Sequence, residues 1–321
     1  MKGKKSQTAK GMALFLAIIA LTAFAFFACE GPMGLQGEQG EQGEQGEQGE
    51  QGEQGEQGEQ GEQGLNSYIV IFNGNGGTPE FNFVSVLHGN TINPPPPPTK
   101  KGVYERKFLG WFDETLNTEW VIESSAVTAN ITLYAKWGAY ALGDTGPGGG
   151  KIFYAVPEGF TVEGYGSEGD KGYFAEYTAY YLEAAPENSG ASVWTNSQIL
   201  ISGITTFTST SGTDAVKIGN GRKDTLTIAA FVATQPVSNT TAAELAVAAS
   251  FGNYNDWFLP SLGELNQLYL NRVLVGNLLE TTYKSSSQAN NLTAWSMNLG
   301  YGNQSSGDKL STSQVHAIRA F

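Results

Sequence analysis

Cysteine is almost missing from this chain: Cys29 is the single one in 321 residues. No intrachain disulfide can form, and neither a redox pair nor a thiolate metal site is available. Histidine is nearly as scarce, with only His88 and His316. Neither has a second ligand at metal spacing, so no metal is assigned. There is no His-Glu-x-x-His and no Gly-x-Ser-x-Gly elbow, which removes two common hydrolase signatures. Positive charge is short as well, since 18 lysines and arginines face 31 acids for a formal net charge of −13. Setting aside Lys2, Lys4, Lys5 and Lys10, the nine repeat glutamates and Glu30 leaves −7 on residues 65–321. Nothing there reads as a basic face for nucleic acid.

What the sequence has in excess is glycine. From Gly31 to Gly64 it falls at every third position for twelve glycines, and from Gly37 the triplet is Gly-Glu-Gln repeated nine times. Three polyproline-II-like chains wind together only if the residue at the crowded axis lacks a side chain. The segment therefore predicts a collagen-like triple-helical stalk and a homotrimer, with a disordered low-complexity linker as the other reading. Extended, it reaches roughly 100 Å at about 3.1 Å per residue. Only Pro32 lies in the repeat. Each Gly-Glu-Gln layer would stack three carboxylates, a repulsion felt most at low salt. Such a rod needs an anchor at one end and a trimerising domain at the other.

Residues 1–28 supply the anchor. The four lysines form a basic leader, and Met12 to Ala28 is an uninterrupted apolar stretch that reads as a secretory signal. Phe26-Phe27-Ala28-Cys29 resembles the lipobox of bacterial lipoproteins, with bulkier residues than the usual pattern at Phe26 and Phe27. The resemblance implies cleavage before Cys29 and acylation of Cys29, giving residues 29–64 a lipidated start and a stalk. Several acyl chains give the stable anchoring that one cannot. Glu30 follows the cysteine instead of the aspartate linked to inner-membrane retention, so export to the outer membrane surface is expected.

Residues 65–138 form a first folded module. Tyr68-Ile-Val-Ile-Phe72 is a β-rich run closed by the turn-forming Asn73-Gly-Asn-Gly-Gly77. In Ile131-Thr-Leu-Tyr-Ala-Lys-Trp137 alternation puts Ile131, Leu133, Ala135 and Trp137 on one face. With Gly110-Trp-Phe112 between them, these motifs resemble the Listeria–Bacteroides repeat, the internalin-type B repeat of bacterial surface proteins. The resemblance implies a small β-grasp-like domain used as a spacer or adhesive unit. Pro94 to Pro98 depart from it and predict a stiff polyproline II loop. Trp111 and Trp120 read as core.

Residues 139–321 form the second module. Gly143-Asp-Thr-Gly-Pro-Gly-Gly-Gly-Lys-Ile-Phe-Tyr154 invites a phosphate-loop reading that fails, because Thr145 stands where glycine is needed and Ile152 where Ser or Thr must meet magnesium. Gly164-Tyr-Gly-Ser-Glu-Gly169 matches a dinucleotide fingerprint but is followed by a tyrosine-rich stretch, not a clean amphipathic helix. No cofactor is assigned. Capping boxes place two helices, one from Thr241 with Glu244 running to Gly252, the other from Ser261 with Glu264, burying Leu262, Leu265 and Leu268 or Tyr269. Val315 to Phe321 alternates as a strand. Short strands, long loops and a few helices make an α+β domain.

Taken in order, the Gly143–Tyr154 run, Tyr181-Leu-Glu-Ala-Ala-Pro186, Trp194, Ile218-Gly-Asn-Gly221, Asn255-Asp-Trp-Phe-Leu-Pro-Ser261 with Glu264, Lys284-Ser-Ser-Ser287 and Ala317-Ile-Arg-Ala-Phe321 resemble the C-terminal domain of the Legionella collagen-like adhesin family. The resemblance implies a domain that trimerises and binds glycans. A more distant likeness to the sulfatase-modifying and C-type-lectin-like superfamily implies a C-type-lectin-like fold of twisted strands and long loops. The cysteine chemistry of the modifying enzymes does not carry over.

The function expected is a surface-anchored trimeric lipoprotein acting as an adhesin, its partners being the membrane through the lipid, two further copies, and an extracellular glycan or host surface protein. Aromatic faces beside Gly and Asn suit carbohydrate, so Tyr165, Tyr173, Trp194 and Tyr301 are the candidate ligand-binding residues. No catalytic residue is assigned. Residues 143–321 carry 15 acidic and 9 basic side chains, which argues against a strongly cationic surface for sulfated polysaccharides, although Lys217, Arg222 and Lys223 could gather locally. Asp256, Trp257, Leu259, Pro260 and Arg319 read as structural, Arg319 satisfying buried carbonyls or an acid. The alternatives are a spacer of the envelope and a glycan-active hydrolase using Glu176 and Glu183.

Overall fold

A computed structural model of the protein describes residues 66–236 and 239–321. The leader, Cys29 and the collagen-like repeat lie outside the described residues. The described residues belong to one contact unit.

The first module is a four-stranded sheet of β1 (Ser67–Asn73), β2 (Phe81–Leu87), β3 (Lys107–Phe112) and β4 (Ile131–Gly138), in the order β2-β1-β4-β3. The central pair β1 and β4 is parallel, and the two outer pairs are antiparallel. Alternation decides which side is dry. Val70, Phe72, Leu133 and Ala135 are buried beneath loop residues Ile92 and Val127, with Ile131 and Trp137 at the margin. Trp111 meets Phe72 edge-on at 4.7 Å, the arrangement aromatic quadrupoles favour. Trp137 closes over the Asn-Gly turn, its indole N–H donating to the Gly74 and Asn75 carbonyls at 3.1 Å. A Cβ on Gly77 would come within 2.5 Å of the Trp137 ring, so the opening turn and the closing tryptophan specify one another. Pro94–Pro98 run outside the strands, in keeping with the backbone donor that each proline lacks.

The second module has two sheets. β5 (Lys151–Val162), β6 (Tyr177–Ala184) and β12 (Ile318–Ala320) form one in the order β12-β6-β5. β7 (Gly190–Ser192), β8 (Thr282–Gln288), β9 (Thr293–Asn298), β10 (Gln304–Asp308) and β11 (Ser313–Val315) form the other in the order β10-β9-β8-β11-β7. Among the described residues four α-helices lie between β7 and β8 in sequence: α1 (Gly221–Ala233), α2 (Ala242–Val247), α3 (Leu262–Leu270) and α4 (Arg272–Val275). α3 packs Leu262, Leu265 and Leu268 against Phe153, Leu182, Tyr283 and Ile318, joining the two sheets through one core.

Both capping boxes form. Glu264 turns back to accept from the Ser261 N–H at 2.7 Å, while the Ser261 hydroxyl accepts from the Glu264 N–H at 3.2 Å. Glu264 also accepts from the Gly219 N–H at 2.8 Å and is fully buried, so a local helix signal is a tertiary fastener too. α2 stops at Val247, short of Gly252. Gly252 instead lets its backbone approach Gly148, which a Cβ would reach within 2.7 Å. Helix α1 was not marked by the sequence: its N-cap Asn220 makes no side-chain cap, and two of its buried positions are Asp224 and Thr225. The expected strand Val315–Phe321 is two strands, β11 and β12, in different sheets and interrupted at His316-Ala317. Every residue from Val315 to Phe321 is buried, so neither side of the segment faces water and alternation carries no information about it.

Candidate functional site

The glycine-rich Gly143–Tyr154 run cradles an anion, but the anion is the chain's own. Strand β6 places the Glu183 carboxylate under this loop, where it accepts from the Gly150 N–H at 2.9 Å and the Gly148 N–H at 3.2 Å. A Cβ on Gly146 would come within 2.5 Å of that carboxyl carbon, and one on Gly148 within 2.6 Å of Trp257. Glycine is required because backbone amides must reach a buried acid at close range. Burial pushes the Glu183 carboxyl up from the ordinary glutamate range, against the downward pull of the two backbone donors and Arg319.

Arg319 is brought to Glu183 by strand pairing, since the two are direct cross-strand partners in β12 and β6. Its Nη1 faces Glu183 Oε2 at 3.6 Å, and its Nε donates to Asp256 Oδ1 at 2.5 Å. Asp256 reaches it because the loop before α3 pairs with β12, Phe258 and Ile318 exchanging backbone hydrogen bonds at 2.8 and 2.9 Å. Tyr254 lies flat under the guanidinium, 3.7 Å from ring centroid to Cζ. Arg319 therefore satisfies an acid, as expected, and does so at the wall of a cleft.

That cleft has a volume of about 420 Å³ and draws residues from both modules. The first module contributes Lys101 and Arg106, the second Arg222, Tyr254, Asp256 and Arg319. Four cationic side chains thus face one carboxylate. The Arg106 guanidinium packs 4.8 Å from the Phe321 ring, and Arg319 lies 5.0 Å from the same ring. Burial and the neighbouring Arg319 charge both pull the Arg106 pKa below its usual value. Among the described residues no carboxylate forms an ion pair with Arg106 or Arg222. Arg222 stacks 4.0 Å over Phe174 and donates to the Tyr177 hydroxyl at 3.3 Å.

Beside this cleft the two modules contact one another directly. Tyr104 stacks on Tyr181 at 5.0 Å and 11°, and the Tyr181 hydroxyl donates to the Tyr104 carbonyl at 2.7 Å. Lys107 bridges to Asp144 at 2.8 Å nearby, and this ion pair with an N–H from Ala141 holds the Asp144 carboxyl below its usual range.

The expected sugar-stacking residues are elsewhere. Trp194 is a correction: it is fully buried, with its indole N–H on the Ser285 carbonyl at 2.7 Å and the buried Lys309 ammonium 4.6 Å over its ring. It is core, placed there because a large aromatic with one donor fits between β8 and α1 when that donor is satisfied. Tyr165 is half-buried, Tyr173 is exposed, and Tyr301 is 79% exposed on the β9–β10 turn. None of these four lines the 420 Å³ cleft. Lys217 and Lys223 do come together, but both pair with Glu163, which neutralises much of their field. Glu176 and Glu183 do not form a pair. Seven residues of extended chain separate them by about 23 Å at ~3.3 Å per residue, well beyond the spacing of two cooperating glycosidase carboxyls.

Lys284-Ser-Ser-Ser287 is a buried polar strand: Ser285 Oγ donates to the Trp295 carbonyl at 2.8 Å, and Ser287 Oγ accepts from the Leu262 N–H at 3.2 Å. Arg106 was missed because Tyr104-Glu-Arg-Lys107 has no pattern in sequence; only the fold brings it beside Arg319. Among the described residues no cluster of three His, Cys, Asp or Glu side chains could hold a metal, and no helix is long and apolar enough to cross a membrane.

Known proteins match parts of the chain. Residues 68–136 match the Listeria-Bacteroides repeat domain and residues 29–70 the collagen triple helix repeat (20 copies). A protein of Evansella cellulosilytica described as a membrane protein is 42% identical over 74 residues, which is 23% of this chain and 10% of that protein. A second from the same organism, described as a Gly-rich membrane protein, is 35% identical over 91 residues, 27% of this chain and 10% of its own length. The chain thus spans about a tenth of the length of these relatives. The crystal structure of a fimbrial protein from Bacteroides ovatus aligns over 80% of this chain and 71% of its own at a TM-score of 0.37 and 11% identity, too slight a likeness to bear on fold or function.

Proposed function

We propose that this protein is a trimeric adhesin of the bacterial surface, lipid-anchored through Cys29 at the outer membrane, with a collagen-like stalk that projects two folded modules and a ligand site for an extracellular glycan or surface protein. The observation that carries the reading is the cleft. It is of ligand size, it is walled by guanidinium groups fixed on acids and aromatic rings, and it sits on a folded part that is otherwise net acidic. Membrane-protein relatives support a surface location. The second module resembles the C-terminal domain of the Legionella collagen-like adhesin family, and its two short sheets with long loops fit a C-type-lectin-like fold. The β2-β1-β4-β3 order around a parallel pair fits a β-grasp-like first module.

A second surface supports the trimer. The uncovered face of β1 and β2 exposes Ile69, Ile71, Phe81 and Phe83, the last 72% exposed. β1 begins three residues after Gly64, the last repeat glycine. A trimer formed by the repeat would raise the local concentration of copies of this face, and we infer that its occupant is a second copy of the chain.

Attachment of cells displaying the full chain to glycan-coated and protein-coated surfaces tests the function. Saturable attachment without any released product is expected. Turnover of the glycan, or attachment no greater than that of cells lacking the chain, contradicts it.

A further inference from the structure

We infer that the cleft between the two modules recognises a sugar bearing a carboxylate, gripped between Arg106 of the first module and Arg319 of the second. This assignment rests on the binding role proposed above and names its ligand class.

The charge of the cleft is unbalanced in a particular way. Its one carboxylate, Asp256, already holds Arg319 through Nε. Arg106 has no acid partner among the described residues, and it shares the Phe321 ring with Arg319 from within about the same distance. Two cations that pack on one ring, one of them half-buried and without an acid partner, raise the free energy of the empty site and favour an anion there. A planar carboxylate suits this geometry, because the Arg106 guanidinium offers parallel N–H donors to two oxygens in one plane, while Arg319, with Nε on Asp256 and Nη1 turned to Glu183, adds its charge from the wall. The Arg319 fork is fixed from behind by Asp256, Glu183 and the Tyr254 face, so little side-chain entropy remains to be lost on binding.

The rest of the wall suits a polyol. Asn253 and Asn255 are exposed at the rim, and Thr99 and Thr178 add hydroxyls, together giving donors and acceptors to sugar hydroxyl groups. Asn253 holds a left-handed backbone at φ 65°, which keeps the Phe251–Tyr254 hairpin closed and Tyr254 at the cleft. The volume of about 420 Å³ lies at the small end of ligand sites, room for a short oligosaccharide end. The acidic surroundings disfavour a densely sulfated chain, whose charges would extend past the four cations onto a surface of like sign.

The test uses the full chain in detergent, titrated with glucuronate, its uncharged isostere glucuronamide, and glucose 6-sulfate, with binding read by saturation-transfer NMR. Glucuronate should bind saturably, and glucuronamide at least about tenfold more weakly, as expected for loss of a charge-assisted contact. Arg106→Gln should bring glucuronate down to the level of the amide while the near-ultraviolet circular dichroism stays that of the wild type. Arg106 is suited to this because it makes no side-chain hydrogen bond that the fold depends on among the described residues. Equal binding of glucuronate and glucuronamide, tighter binding of the sulfate ester, no saturation by glucuronate, or an unaffected Arg106→Gln chain would each overturn the assignment. If displaying cells attach saturably but glucuronate neither binds nor competes, the adhesin reading stands and this one falls. If glucuronate binds as described but no surface captures the cells, the reverse holds.

Discussion

At the scale of single residues, the same chemistry separates a core aromatic from a surface one. Trp194 has its only side-chain donor satisfied inside the domain, whereas Tyr301, between Gly300 and Gly302, stands in water. Trp194→Ala should therefore cost about 3–5 kcal/mol of stability, whereas Tyr301→Ala should stay within about 0.5 kcal/mol, both read by denaturant midpoints. Equal effects would contradict the assignment of Trp194 to the core. Two buried titrating groups give a second residue-scale expectation. Desolvation raises Asp224 from 3.8 to about 7, against hydrogen bonds from Thr205 and the charge of Lys223, and with Glu264 adding to the rise. Its folded pKa lies above the unfolded one, so the stability it lends is complete below pH 3.8 and is lost as pH rises towards 7. His316, fully buried, is lowered from 6.5 to about 4, so its contribution is complete above pH 6.5 and is lost as pH falls towards 4. The two oppose each other in the shared window. Asp224→Asn should leave the His316 term in place, so that relative to wild type the variant gains about 1.4 kcal/mol per pH unit between pH 4 and 7. A stability difference that does not change over that range would show that Asp224 is not the group titrating.

At the scale of elements, local signals were legible and tertiary ones were not. Ser261 with Glu264 and Thr241 with Glu244 are complete within four residues, and both boxes form at the helix starts they marked. Alternation found the dry face of β4 because its other side is less enclosed. The same rule misread Val315–Phe321, where both sides are covered and the chain changes sheets. Helix α1 escaped because it buries Asp224 and Thr225 among its apolar residues, Thr225 Oγ1 donating to the Gly221 and Leu259 carbonyls at 2.7 and 3.0 Å. The phosphate-loop reading of Gly143–Tyr154 failed on its residues, and nothing in the sequence showed that the run cradles Glu183, which lies 33 and 35 residues beyond the donors Gly150 and Gly148 and reaches them only through the pairing of β5 with β6. Likewise the family-like Asp256 and Arg319 were marked, while Arg106, their neighbour across the cleft, carried no signal. The exposed face of β1 and β2 contributes little to the fold of a single chain. Phe83→Ser should leave the stability of the single chain within about 0.5 kcal/mol and yet weaken self-association, read by the concentration dependence of sedimentation. A destabilised fold with unchanged association would mean that this face packs within the chain and not between copies.

At the scale of the whole molecule, the proposed site is joined to a means of repeating it. A cleft that grips one carboxylate, as proposed, would offer modest affinity, and three such clefts on one stalk would raise the avidity without any new contact. The repeat glutamates set a condition on this, because carboxylates stacked in a triple helix would repel most at low salt. The most direct measurement is therefore sedimentation equilibrium of the full chain in density-matched detergent at low and at physiological salt. Particles of three chains, better populated at the higher salt, are what the account predicts. A single chain at both salt concentrations would contradict it, leaving one cleft on one tether.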